Sequence, residues 1–210
     1  MSKDPIVLSY DESLLRKSDV ELLQGPHWLN DNIISFYFEY LKNTFKQAPH
    51  ILFVPPEVTQ CVKITPSSQI GIFLDPLDAR HRRFIFFALN DNERPQAAGG
   101  THWSLLLFSR PDKTIYHYDS SRGMNREQGE NFGRKIFSYF GIEGQFKEER
   151  ALQQNNGYDC GIYLICNTEH LARHLISYNC VEGYGSNEDL ANSVGSMRNQ
   201  IYNVIEQLKS

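Results

Sequence analysis

The stretch THWSLLLFSRPDKTIYHYDSS, residues 101 to 121, constrains the fold more than any other. Two aliphatic and aromatic runs flank RPDK, where Pro111 and Asp112 favour a tight turn, so the segment reads as a β-hairpin. If Pro111–Asp112 is a two-residue turn, residue 110 faces 113 and residue 102 faces 121. Alternation along the strands then puts His102 and Asp119 on one face, one diagonal step apart. RRFIFFALN, residues 82 to 90, is too short for an ordinary helix and rich in aromatic residues, and reads as a buried neighbouring strand.

Helical patterns surround this block. Asn30 or Asp31 caps a helix whose apolar positions recur from Ile33 to about Phe45. Pro55 and Pro56 precede a short helix opening at Glu57. Residues 125 to 140 carry Phe132, Ile136, Phe137 and Phe140 on one helical face, and a short strand is expected over 146–152. CGIYLICNTEHLARHL gives about four helical turns with Cys160 in the first, and a last helix is expected over 197–208. The first 25 residues alternate short apolar clusters with charge and suggest no definite element. Strands in the middle, helices before and after, and no regular βαβ alternation make an α+β domain, read as one unit over residues 1–210.

The chain is 40% hydrophobic and 22% charged with a formal net charge of −4. That balance supplies no overall attraction to nucleic acid or to an anionic membrane, so neither is an expected partner. No run of 18 apolar residues occurs, and MSKDPIVLSYDESLL lacks the core of a signal peptide. A cytoplasmic or nuclear location is the expectation. Four cysteines, Cys61, Cys160, Cys166 and Cys180, are too few for a disulfide scaffold and suit a reducing compartment.

Among these, Cys160 stands where a polar loop, QQNNGYD, becomes a helix. A helix N-terminus offers unpaired N–H groups and a positive dipole end, both of which favour a thiolate. Gly161 lets the chain approach a reacting carbonyl closely. The competing reading is a small buried hydrophobe beside Ile162, Leu164 and Ile165. A nucleophile needs a base: His102, oriented by Asp119, meets that need, but His117 shares the same strand face, and periodicity does not choose between them. An amide from Gln154 is placed to bind an oxyanion, although Gln153, Asn155 and Asn156 are rivals. Cys166, His170 and His174 recur every four residues, too linear an array to converge on tetrahedral zinc, and no metal is expected.

GGTHWSLLLF, IYHYDS and QQNNGYDCGIYLIC together resemble the active-site blocks of the sentrin/SUMO-specific protease family, papain-like cysteine proteases of the Ulp/adenain type. HWLNDNII and FFALNDNERPQAAGGTHWSLL resemble the branch of that family acting on the neddylation modifier. The resemblance covers nearly the whole chain and is weakest after about residue 175. It implies a central mixed sheet with flanking helices and the nucleophile at a helix N-terminus. It also implies Cys160 as nucleophile, His102 as base, Asp119 as orienter and Gln154 as oxyanion donor.

The family resemblance implies further that Trp28 and Trp103, the two tryptophans, wall a slot that admits only a side-chain-free Gly–Gly tail. The loop 94–101, with Gly99 and Gly100, would order over that tail, and Asn30 and Asp31 would fix the Trp28 segment or touch the modifier. The expected partners are the modifier's precursor and its conjugates, such as cullins, met by a monomer without a cofactor. SUMO or ubiquitin as the substrate, and a modifier-binding module without turnover, are the alternatives.

Overall fold

The computed structural model describes residues 4–93, 99–185 and 188–209. Its elements in chain order are β1 (Ile6–Tyr10), β2 (Ser13–Arg16), α1 (Lys17–Glu21), α2 (Asp31–Thr44), β3 (Ile51–Val54), α3 (Pro56–Ile64) and α4 (Gly71–Leu74). There follow β4 (Phe84–Asn90), β5 (Trp103–Ser109), β6 (Thr114–Tyr118), α5 (Arg126–Phe140), β7 (Gln145–Glu148), α6 (Cys160–Tyr178) and α7 (Glu188–Leu208). β1 and β2 form a separate antiparallel pair, and the other strands form one mixed sheet in the order β3-β4-β5-β6-β7. The outer pairs, β3 with β4 and β6 with β7, are parallel, and the two inner pairs are antiparallel.

Alternation along β4 and β5 sorts the core into two layers. Phe84, Phe86, Leu105 and Leu107 face a cluster that includes residues of α2, α6 and α7, whereas Ile85, Phe87, Leu106 and Phe108 face one that includes residues of α3 and α5. The sheet is therefore covered on both sides, which accounts for the unbroken burial of β4. The β5–β6 pairing, Ser109 with Thr114 through Leu105 with Tyr118, has the register expected from the turn, and Lys113 closes it with a left-handed backbone, φ 50°.

Four expectations need correction. The segment before Asp31 is a hairpin and a short helix; its mixed pattern arises because each strand buries one face, with Leu8 and Leu15 pointing inward. The strand expected over 146–152 is Gln145–Glu148, since pairing with β6 stops where β6 ends at Tyr118. Pro56 is the first residue of α3, where its missing N–H costs nothing. The last helix begins at Glu188, nine residues before the expected start; Leu190, Met197, Ile201 and Ile205 form its buried stripe, and Ser193, Gly195 and Ser196 within it mask the period.

Candidate active site

α6 begins at Cys160 because the preceding loop is tied down before it. Asn156 Oδ1 accepts the backbone N–H of Tyr158 and of Asp159, and Asn156 Nδ2 donates to Asp159 Oδ2 at 2.8 Å. Asp159 Oδ1 receives Arg198 from α7 through Nε at 3.1 Å and Nη2 at 2.7 Å. The same guanidinium donates to the carbonyls of Leu22 and His27, so one side chain joins the start of α6 to the segment leading to Trp28. At Gly161 an added Cβ would lie 3.0 Å from the Leu29 Cβ, which makes Leu29 the close neighbour there.

His102 lies one residue before β5 and Asp119 one residue after β6, diagonal across the pair, and both are 2% exposed. His102 Nε2 donates to Asp119 Oδ1 at 2.5 Å. Asp119 also accepts the N–H of Ser121 at 2.8 Å on Oδ1 and of Asn125 at 3.1 Å on Oδ2, which fixes both its oxygens. With Nε2 engaged by Asp119, Nδ1 is the ring atom left for the Cys160 thiol. Burial works against a charged ring, but the hydrogen bonds and charges of Asp119 and Cys160 outweigh it and raise the His102 pKa to about 9. Burial likewise opposes the Asp119 carboxylate, and His102 with the two backbone donors still holds it below the usual carboxylate range.

Cys160, His102 and Trp103 line a cleft of about 570 Å³ together with Trp28, Asn30, Asp31, Gly99 and Gly100. Cys160 itself is only 2% exposed and forms part of a recessed floor. Trp28 is half exposed, and its indole N–H donates to the Gly157 carbonyl at 2.5 Å; that of Trp103 donates to the Leu29 carbonyl at 3.1 Å. The rings are thus pinned to the loop before α6 and to the chain entering α2. Asn30 Oδ1 caps α2 by accepting the Ile33 N–H at 3.2 Å, and its amide donates to buried Asp19. Asp31 is an exposed residue at the cleft.

Gly100 has φ 98°, and a Cβ there would fall 1.8 Å from Asn90 Oδ1, so the close approach of these two cleft residues requires glycine. The expected flap over 94–101 falls largely on residues 94–98, which lie outside the described residues.

Gln154 Oε1 accepts from Ser120 Oγ at 2.7 Å, and its amide donates one N–H to the Asn156 carbonyl at 2.6 Å. Gln153 donates to the Asp119 carbonyl at 2.9 Å and accepts the Arg122 N–H, holding the loop against the acid. His117, the rival base, is fully buried between Glu148 and Ser104.

Asp91 was not singled out by the sequence. Its carboxylate accepts from the Thr101 N–H, the Thr101 hydroxyl and the His102 N–H, which closes the loop immediately before the histidine. Lys63 of α3 donates to the carbonyls of Asn90 and Asn92 on the same cleft wall, and burial lowers its pKa to about 8 despite Asp91 and Glu93 nearby. An aspartate directly after a strand was the signal available for Asp91; Lys63 and Arg198 left none, because their partners are distant in sequence.

Residues 78–208 match the model of the Ulp1 protease family, C-terminal catalytic domain. Over 178 residues the chain is 49% identical to Sentrin-specific protease 8 of Mus musculus, covering 82% of this chain and 80% of that protein. It is 31% identical to NEDD8-specific protease 1 of Arabidopsis thaliana, covering 100% of this chain and 96% of the relative. Among solved structures, the C-terminal Ulp1 protease domain in complex with Smt3, the yeast ortholog of SUMO, superposes with a TM-score of 0.70 at 21% identity, covering 99% of this chain and 90% of that one.

Proposed function

Because the chain belongs to the Ulp1 protease family, we propose that it is a cysteine protease cleaving after the C-terminal Gly–Gly of NEDD8, the neddylation modifier. The observation that carries the chemistry is the buried His102–Asp119 hydrogen bond beside Cys160 in a tryptophan-walled cleft. The modifier is assigned from relatives named as NEDD8-specific and from the resemblance to Sentrin-specific protease 8.

In this reading the modifier's tail passes between Trp28 and Trp103, and the Cys160 sulfur attacks the last glycine carbonyl. His102 already holds the proton given up by the thiol, as an imidazolium paired with the thiolate, and Asp119 stabilises that charged ring. The tetrahedral oxyanion is met by the Cys160 N–H at the start of α6 and by the second N–H of the Gln154 amide. His102 then protonates the departing amine, and water attacks the thioester with the same imidazole as base, releasing the modifier's carboxylate and restoring the thiol. The amine is either that of a short C-terminal extension or a substrate lysine, so one site serves precursor maturation and release from conjugates such as cullins. The protein works as a monomer in the cytoplasm or nucleus.

Intact-mass analysis with NEDD8, SUMO and ubiquitin carrying C-terminal electrophiles tests this. The expected result is one adduct, selective for NEDD8 and absent in Cys160→Ala. Selectivity for SUMO or ubiquitin would keep the chemistry and replace the substrate, whereas binding without any adduct would make the chain a modifier-binding module.

A further inference from the structure

His117 is a buried titratable group that the proposed mechanism does not use. It sits on β6 two residues from Asp119 and is 0% exposed. Its Nδ1 donates to Glu148 Oε2 of β7 at 2.8 Å, which leaves Nε2 to accept the Ser104 hydroxyl at 2.9 Å. Ser104 Oγ in turn receives the Asn125 amide at 3.0 Å, and the Asn125 backbone N–H holds Asp119 Oδ2 at 3.1 Å. Asn125 also reaches towards the His102 carbonyl at 3.4 Å. The chain of contacts runs from the partly exposed Glu148, through three fully or almost fully buried side chains, to the carboxylate that orients His102.

We infer that His117 is a positioning residue for the reaction: anchored by Glu148, it fixes the Ser104 hydroxyl and, through Asn125, the place of the Asp119 carboxylate under His102. The inference rests on the roles proposed for Cys160, His102 and Asp119. The physical reason is directional. With its proton on Nδ1 towards Glu148, the imidazole presents Nε2 as an acceptor to Ser104, so the hydroxyl proton points at His117 and a lone pair is turned to the Asn125 amide. Glu148 selects that tautomer, because a carboxylate can only accept from Nδ1. His117, Asp119 and Glu148 offer ligand atoms within 4.8 Å of one another, yet His117 and Asp119 have these atoms committed to the network just described. Phe146 lies against the imidazole, the ring centroids 5.6 Å apart and the planes tilted by 42°.

The test compares Ser104→Ala, Ser104→Thr and Glu148→Ala with the unaltered protein. One readout is turnover of NEDD8 bearing a C-terminal fluorogenic amide. The other is the pH profile of Cys160 alkylation by iodoacetate, an anion whose approach gains from the His102 imidazolium. Ser104→Ala is expected to lower kcat about tenfold at unchanged KM and to move the alkaline limb of both profiles down by about half a pH unit. Ser104→Thr, which keeps the hydroxyl, is expected to restore them, and Glu148→Ala to move the limb the same way. An unmoved limb in Ser104→Ala overturns the inference, whatever happens to the melting temperature. If Ser104→Ala does not fold, Glu148→Ala decides by the same criterion. Failure of the underlying reading is separately visible: His102→Ala would then leave the iodoacetate profile of the otherwise native protein unchanged.

Discussion

His102 sets the proton balance of the site. Its pKa stands at about 9 against an ordinary 6.5, because Asp119 and Cys160 favour the charged ring more than burial disfavours it. The imidazolium therefore persists through neutral pH and is lost as pH rises through about 9, which puts the alkaline limb of kcat/KM there. Replacing Asp119 by Asn removes the charge and puts an NH2 donor in place of one of the two oxygens that accept from His102, Ser121 and Asn125. Asp119→Asn is expected to lower kcat/KM on the order of 10²-fold and to move that limb towards 6.5. Stability follows the same sign: a raised pKa stabilises the fold fully below 6.5 and progressively less up to about 9. The lowered Asp119 pKa works oppositely, its contribution being lost as pH falls below the usual carboxylate range. Urea unfolding of Asp119→Asn should thus show its largest deficit near pH 6 and a smaller one at pH 9.5; equal deficits at both would remove the ion pair from the account.

At the scale of elements, the site depends on ties between pieces that do not adjoin in sequence. Arg198 of α7 donates to Asp159 and to the carbonyls of Leu22 and His27, and so adds a link between the start of α6 and the chain entering the tryptophan cleft. Arg198→Ala strips Asp159 of its cation and leaves two carbonyls short of a donor, a loss of about 1–3 kcal/mol. Because the bonds also place Trp28, labelling of Cys160 by an electrophilic modifier should slow more than labelling by iodoacetamide, which needs no channel. Equal slowing by the two reagents would mean that Arg198 acts on the thiol and not on the channel.

None of that tie was legible in the sequence, where Arg198 lies in a stretch interrupted by serine and glycine. The β5–β6 register was legible, because two turn residues fix the pairing of every position that follows. It brings His102 and Asp119 within reach of each other from the pattern alone, yet it places His117 on that face equally well. Burial between Ser104 and Glu148, which separates the two histidines, depends on the position of β7 and of Asn125, and a pattern along one strand does not contain it. Gln154 shows the same limit: the loop offered four amides, and which atoms each engages is set by Ser120 and Asn156.

For the whole molecule, the proposed nucleophile and its proposed base adjoin residues that pack in different layers. Cys160 begins α6, whose following residues Ile162, Leu164 and Ile165 pack in the cluster shared with α2 and α7. Ser104, next to His102 but one along β5, lies in register with Leu106 and Phe108, which face the α3 and α5 cluster. The two meet only because the sheet joins both layers in one packed body, so overall stability and site geometry are coupled through α6. Ile201 of α7 is fully buried in the first cluster and is not among the residues that line the cleft. Ile201→Ala removes buried hydrocarbon and leaves a cavity, which is expected to cost about 3 kcal/mol and to lower Tm by roughly 6–12 °C. Below the new transition the sheet still holds the two layers in place, so the rate of Cys160 labelling at 25 °C should stay within about twofold of the unaltered protein. Labelling lost at 25 °C with circular dichroism intact would instead show that α7 shapes the cleft directly, and that its packing against α6 transmits core changes to the nucleophile.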